Sequence, residues 1–259
     1  MKVKMNNKKF NIIEKEFDSS FITLCENIKS EVKGQFDDLV VVNNIFLILK
    51  KLMENKDNHG NYVECGVFKG GTLIPAVTFT KNMNINFNFT GIDTFSGFPN
   101  LENDDNDLPS KFIDLYERKL ISEQHFIRAK EKTDNFNDTF HLESSYFNDD
   151  FSKLFNFCDN KKNVSLLKGN FFSVLDKFTG DIDILHIDCD LYQSYKQCLE
   201  KLYDKVVSGG CIIFDEYYSL KYPGPRIFVN EFFDGKKGYF EKYITPEVNN
   251  FERWCFIKE

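Results

Sequence analysis

A chain of 259 residues, 42% of them hydrophobic, has the material for one large α/β core with decorations or for two small ones. With 40 acidic and 33 basic side chains its net charge is −7, which excludes a general affinity for nucleic acid or an anionic membrane, since both need clustered cation excess. The seven cysteines are odd in number and form no CxxC pair, so a zinc site of that pattern is unsupported and reduced, buried thiols in a cytoplasmic protein are expected.

The opening segment MKVKMNNKKF is basic but lacks the apolar stretch of a signal peptide. No apolar run reaches membrane-spanning length, so no membrane insertion is expected. Residues 1 to about 34 have short apolar patches without a strong period and suit a cap or an oligomer contact, while Leu39 to Met53 has helical spacing. Residues 1–54 are therefore expected to form an N-terminal helical region, with the main domain at 55–259. Tyr62 to Val67 predicts a strand, followed by a glycine loop and a helix from about Thr72 to Thr80. Asn86 to Asp93 alternates as a half-buried strand does. A polar insertion at about 100–160 is too long for a bare loop, so helices covering the site are expected there, with Lys111 to Lys132 helical.

Alternation then resumes. Val164 to Leu167 and Asp183 to Asp188 read as strands, with Phe172 to Phe178 as a short helix between them. Leu191 to Val206 reads as a helix, with Leu191, Tyr195, Leu199, Leu202 and Val206 on one face and Ser208-Gly209-Gly210 ending it. Cys211 to Phe214 is a further strand and Ile227 to Phe233 a helix. Tyr239 to Ile244 and Trp254 to Ile257 form a closing pair of strands around Asn249-Asn250. Repeated βα units imply an α/β fold, a mostly parallel sheet with helices on both faces.

Glycines at 66, 70 and 71 in ECGVFKGG let backbone amides approach a ligand at a helix start. The spacing is not the G-x-G-x-x-G dinucleotide fingerprint. It suits a ligand with an amine and a carboxylate at one end and no pyrophosphate, which S-adenosylmethionine provides. Glu64 would sit near the ammonium, the loop amides near the carboxylate, and Asp93 at the next strand end would accept both ribose hydroxyls. The plainer reading is that Gly66 and Gly70 only permit a turn and Asp93 only ends a strand.

Asp188 and Asp190 (HIDCD) close one strand, and Asp215 and Glu216 (FDE) the next. Neighbouring strand ends of a parallel sheet form a ligand crevice, so four carboxylates are expected to converge and raise one another's pKa values. A divalent cation relieves that repulsion, and an all-oxygen set favours Mg²⁺, Mn²⁺ or Ca²⁺ over Zn²⁺. Coordination lowers the pKa of a hydroxyl, and a carboxylate then takes its proton. Some of these acids could instead cap the helix near Leu191 or pair with Lys. His186 reads as packed or hydrogen-bonded, His125 and His141 in the insertion as able to reach a substrate, and Arg226 after the Tyr-Pro-Gly-Pro turn as a substrate contact beside the acids.

The stretches VECGVFKGGT, GIDTFSGFP, LLKGNFFSVL, HIDCDLYQSY, LYDKVVSGGCIIFDEY and the PGPR segment before VNEFF occur in one order. On these, the chain from about Leu39 onward resembles the macrocin/mycinamicin (TylF-type) sugar O-methyltransferases. The resemblance implies a class I methyltransferase (Rossmann-like) fold with a seven-stranded sheet ending in an antiparallel hairpin. It also implies S-adenosylmethionine as methyl donor, Mg²⁺ or Mn²⁺, a sugar hydroxyl as acceptor, and a homodimer or higher assembly through the N-terminal region. By position, Glu64, Gly66, Lys69, Gly70, Thr72, Asp93, Gly169, Asn170 and Asp188 match the cofactor site, and Asp188, Asp190, Asp215 and Glu216 the metal-binding acids. Either aspartate of HIDCD fits base or ligand; the assignment adopted is Asp190 as base and possible ligand, with Asp188 as ligand. Arg226, His141 and Tyr217 are the candidate substrate contacts. The insertion from about residue 100 to 141 departs from the family pattern. The acceptor expected is a nucleotide-linked heptose or deoxyhexose for a surface polysaccharide or a glycosylated natural product.

Three other readings compete. A nicotinamide-dependent oxidoreductase would need the missing glycine spacing, and a degenerate binding module would not need intact acids at both strand ends. A catechol-like acceptor keeps the enzyme, since vicinal hydroxyls present similar ligands to Mg²⁺.

Overall fold

The computed structural model describes residues 10–36, 39–41, 45–55, 57–98, 105, 107–132, 150–245 and 251–259. Eight strands form one sheet: β1 (Ile12–Glu16), β2 (His59–Cys65), β3 (Asn86–Asp93), β4 (Val164–Lys168), β5 (Ile182–Ile187), β6 (Val206–Phe214), β7 (Gly238–Thr245) and β8 (Phe251–Lys258). Their spatial order is β1-β7-β8-β6-β5-β2-β3-β4. Only β8 runs antiparallel to its neighbours β6 and β7. The expected closing hairpin is thus present, and the seven expected strands gain an eighth, because β1 pairs in parallel with β7 (Ile12 opposite Phe240). That strand lies in the N-terminal stretch expected to be helical; its residues IIEKE have a weak apolar signal because an edge strand buries little.

Helices cover both faces. The N-terminal pair α1 (Ser19–Gln35) and α2 (Ile45–Glu54), with α3 (Leu73–Asn82) and α6 (Ser152–Asp159), packs on one face in a cluster that includes Ile184 and Ile213 of the sheet. In α1, Phe21, Cys25, Ile28 and Val32 recur at helical spacing and are buried, and Asp18 caps the helix by accepting from the Phe21 amide at 2.8 Å. The short α7 (Phe171–Val174), with α8 (Tyr192–Leu202) and α9 (Gly224–Phe232), covers the opposite face over Leu185, Ile187 and Ile212. Central β5 is buried along most of its length, as expected of a parallel strand covered twice. The insertion supplies α4 (Leu108–Glu117) and α5 (Glu123–Lys132), which pack together around Phe112, Leu115, Ile121 and Ala129 and dock on Ile227 of α9.

One boundary differs in kind. Helix α8 ends at Leu202, a 3-10 turn follows over Tyr203–Lys205, and Ser208-Gly209-Gly210 lies inside β6 instead of ending a helix. The pairing with β5 slips here, from Ile182–Val206 to Ile184–Cys211, so the glycines form a bulge. Gly209 takes φ +82, which a bulge and a helix end both ask of glycine. Among the described residues, no helix is long and apolar enough to cross a membrane.

Candidate active site

From β2 the chain moves outward to β3 and β4; from β5 it moves the other way to β6. The sheet therefore changes direction between β2 and β5, and the crevice at their carboxyl ends is where ligands of such sheets bind. The two strand ends are tied together: the Asp188 amide donates to Cys65 O at 2.8 Å and the Asp215 amide to Ile187 O at 3.0 Å. Gly66, at φ +90, passes so close that a β-carbon there would lie 1.6 Å from the Asp188 carbonyl oxygen. Only glycine lets the two loops meet.

On the cofactor side, Glu64 is fully buried and accepts from Tyr62 Oη at 2.6 Å and from Thr72 Oγ1. Asp93 uses Oδ2 to accept the amides of Val67 (2.8 Å) and Phe68 (2.9 Å), and Oδ1 to accept that of Phe95 (2.8 Å). It therefore fixes the glycine loop as well as ending β3, with lone pairs left on both oxygens. Gly70 adopts φ +86 at the end of the loop. Gly169 donates its amide to Asp93 O, while Asn170 caps α7 by accepting from Ser173 N at 3.0 Å. Lys69 lines a cleft with Phe36, Ile74 and Leu154, the last two packed against Gly70.

On the acidic side, Asp188, Asp190 and Asp215 are partly exposed and Glu216 is 5% exposed. Desolvation, then the Asp215 charge, raises Asp188 well above the carboxylate range; the same two causes push Asp190 up to about 7. Glu216 is raised by burial and by Asp215, Asp188 and Asp190. It faces α8, where Tyr195 Oη donates to its Oε2 at 2.7 Å. Asp215 behaves oppositely: burial would raise it, but His186 and Arg253 outweigh this and hold it below the ordinary range. Asp190 sits at φ +60, a left-handed conformation that a non-glycine residue adopts at some cost.

His186, expected to be packed or hydrogen-bonded, is both, and it organises this cluster. His186 is fully buried between the two halves of the site, its Nδ1 3.1 Å from Tyr62 Oη and 3.5 Å from Glu64 Oε2, its Nε2 3.8 Å from Asp215 Oδ1. Burial alone would lower the imidazole's pKa; the flanking Asp215 and Glu64 carboxylates more than reverse this and push it up to about 10. Nε2 and that Oδ1 are both buried without a hydrogen-bond partner. Among the described residues, the set whose ligand atoms all lie within 4.8 Å of one another is His186, Asp188 and Asp215, and not the four carboxylates together. Such a donor set, with two orphaned polar atoms facing each other, fits a divalent cation. Strand parity carried the one available signal, since His186 and Asp188 lie two apart and share a face. Arg253 of β8, 8% exposed, adds a positive charge that Asp215 and Asp188 feel. From the insertion, Asp105 accepts the Tyr192 amide at 2.6 Å and caps α8, whose Leu191 has no side chain to do so.

The expected substrate contacts fare differently. Arg226 is 3% exposed and is spent on the carbonyls of Tyr217 (3.0 Å) and Leu120 (2.6 Å), stacking 3.9 Å over the Tyr217 ring. It fastens the insertion to α9 instead of facing a substrate. Tyr217 is itself buried and donates to Asn230 Oδ1. His125 is 3% exposed and bonded through Nε2 to Ser219 O at 2.7 Å, and burial pushes its pKa down to about 3. His141 lies outside the described residues.

Comparison with known proteins bears on the fold. The family model described as Macrocin-O-methyltransferase (TylF) matches residues 124–240, a stretch that starts inside the insertion and leaves out the glycine loop. No curated protein matches the chain. Among solved structures, the O-methyltransferase NovP is similar at 22% identity, covering 83% of this chain and 78% of its own, with a TM-score of 0.52. CalS11, a calicheamicin methyltransferase, is 16% identical over 92% and 90% of the two chains, with a TM-score of 0.50. A putative caffeoyl-CoA O-methyltransferase from Staphylococcus aureus is 14% identical over 93% and 100%, again at 0.50.

Proposed function

We propose that this chain, an S-adenosylmethionine-dependent O-methyltransferase in fold and in family resemblance, methylates a sugar hydroxyl in a reaction that needs a divalent cation. One observation carries the reading: the glycine loop and the acidic strand ends meet at a single point, Gly66 against the Asp188 carbonyl. A methyl donor on the loop is thereby brought to the acids.

The amides beyond Gly66, on a loop that the buried Glu64 braces through Thr72, hold the amino-acid end of the cofactor, and Asp93, beside Gly169, accepts from its ribose. Asp190 is the base: it lies two residues beyond Asp188 at the end of β5, where a carboxylate can take the proton of the acceptor hydroxyl. Asp188 and Asp215, with Glu216 behind them, are the groups that would hold the cation. When bound, the cofactor supplies an electrophilic methyl and the cation lowers the pKa of the acceptor hydroxyl. Asp105 fixes α8 and Arg226 fixes the insertion, so the crevice keeps its shape while an acceptor is oriented.

The acceptor class is a nucleotide-linked sugar, with a heptose or deoxyhexose first in line. Self-association through residues 1–54 and a cytoplasmic location, which suits seven free and buried cysteines, belong to the same reading. Calorimetry with S-adenosylhomocysteine tests the cofactor, and absence of binding would sink the proposal. Nucleotide-sugars and a catechol, screened with the cofactor and Mg²⁺ or Mn²⁺, test the acceptor; turnover of the catechol alone would move the reading to that class. Activity that survives both EDTA and Asp215→Ala would remove the cation. Light scattering that gives a monomer would remove self-association.

A further inference from the structure

We infer that Arg253 receives an oxyanion of the acceptor, a phosphate or a carboxylate near the hydroxyl that is methylated, and so selects anionic over neutral sugars. The inference rests on the sugar O-methyltransferase reading above and deepens it.

Three observations lead there. First, strand register sets Arg253 in the row of acids. Ile187 of β5 lies opposite Phe214 of β6, and Phe214 lies opposite Trp254 of β8. One step beyond these pairs come Asp188, Asp215 and Arg253, side by side at three neighbouring strand ends and on one face. Second, the guanidinium is buried and unmatched. Arg253 is 8% exposed, its Nε has no hydrogen-bond partner, and it forms no ion pair among the described residues. Burial lowers its pKa, and the charges of Asp215, Asp188 and Glu216 offset this only in part. A buried cation that bonds none of its neighbours is costly, and an anion carried in by a ligand satisfies it. Third, the guanidinium is held in place by a built wall. It lies 4.2 Å over the Phe251 ring, and Phe251 meets Tyr218 edge to face at 4.6 Å. Arg128 of α5 sits 6.0 Å from the same Phe251 ring and donates to Tyr218 Oη at 3.0 Å. Tyr218 belongs to the 3-10 turn Glu216–Tyr218 that follows the acids, so this wall joins the insertion, the acidic loop and β8.

The donor decides the ligand. A guanidinium offers two parallel N–H groups that match the paired oxygens of a phosphate or a carboxylate, a fit that a neutral sugar hydroxyl does not supply. Arg253 also offsets the charge of the acids, so the test has to separate that role from recognition.

The test uses the full chain with S-adenosylhomocysteine and Mg²⁺. The probes are UDP for the phosphate, methyl glucuronide for the carboxylate and methyl glucoside as the neutral control. Calorimetry is expected to show at least one anion binding at least tenfold more tightly than the glucoside, with that preference lost in Arg253→Gln. Mg²⁺ is present with both proteins, so its own pull on UDP cancels in the comparison. Preference for UDP assigns the oxyanion to a nucleotide linkage, and preference for the glucuronide assigns it to a uronic acid. Equal binding of all three probes, or an anion preference that survives in Arg253→Gln, overturns the inference. So does a kcat lowered alike for anionic and neutral acceptors with KM unmoved, since Arg253 then acts on the acids alone. Methylation of neutral sugars with no binding of either anion overturns it too, and leaves the sugar reading intact. If the anions bind through Arg253 yet no sugar is methylated, the sugar reading falls and the anion site stands. Should Arg253→Gln not fold, a crystal of the wild-type protein with the tighter anion decides. Oxygens bonded to the guanidinium support the assignment, and an anion seated elsewhere overturns it.

Discussion

At the scale of single residues, two positions can be read straight into experiments. Gly66→Ala forces a β-carbon onto the Asp188 carbonyl, so the loops must part; affinity for S-adenosylhomocysteine is expected to fall at least about tenfold, equivalent to about 1.4 kcal/mol. Gly209→Ala is the control. It has a similar φ of +82 but nothing within 4 Å of the new carbon, so it should cost only about 1–2 kcal/mol of stability and leave binding unchanged. Equal binding loss in both variants would refute the contact argument. His125 offers a pH signature. Its pKa falls from 6.5 unfolded to about 3 folded, so over that window the unfolded chain binds more protons and stability drops as pH falls. The slope approaches about 1.4 kcal/mol per pH unit from this one group. Urea melts at pH 7, 5 and 4 should show a shallower fall for His125→Gln. Carboxylates at strand ends were legible in the sequence because a strand's last residues announce a crevice. The part played by His186 was not, since it depends on β2 setting Glu64 opposite His186 and on where β6 ends. Arg226 misled for the converse reason: a cation beside acids reads as a ligand, and burial is invisible until the insertion folds over it.

Among the elements, the described parts of the insertion are mainly helical, as expected, but its attachment to the site was hidden in one residue. Asp105 caps α8, the helix that follows the acidic loop. Asp105→Ala is expected to cost about 0.5–2 kcal/mol, seen as a fall of a few degrees in Tm, whereas Asp105→Asn keeps an acceptor and should lie near wild type. An unchanged Tm in the alanine variant would mean that the cap carries no stability. The alternating βα units were legible because periods of 2 and 3.6 survive in strands and helices buried on a sheet. The bulge in β6 was not, because Ser-Gly-Gly serves equally to end a helix and to break a ladder. Edge strand β1 was missed because two apolar residues in a charged stretch carry no period.

Across the whole molecule, one buried ion pair joins the two ends of the chain. Lys51 of α2 bonds Glu241 of β7, and Lys15 of β1 reaches the same carboxylate at 2.5 Å. Burial would raise Glu241, but bonds from Lys15 and Lys51 outweigh it and hold its pKa down. Lys51→Met leaves a buried carboxylate with one partner fewer and should cost about 3–5 kcal/mol, while Lys51→Met with Glu241→Leu should recover most of that loss. A double variant no more stable than the single would show that packing, not charge, is at stake. That pair also lies beneath the pairing of β1 with β7, and its consequence is one of timing. During synthesis Ile12 emerges early and must wait for Phe240 before it can be seated. Contacts so distant along the chain form slowly. Until then one edge of β7 is left with unpaired amides, an open edge on which another strand can pair.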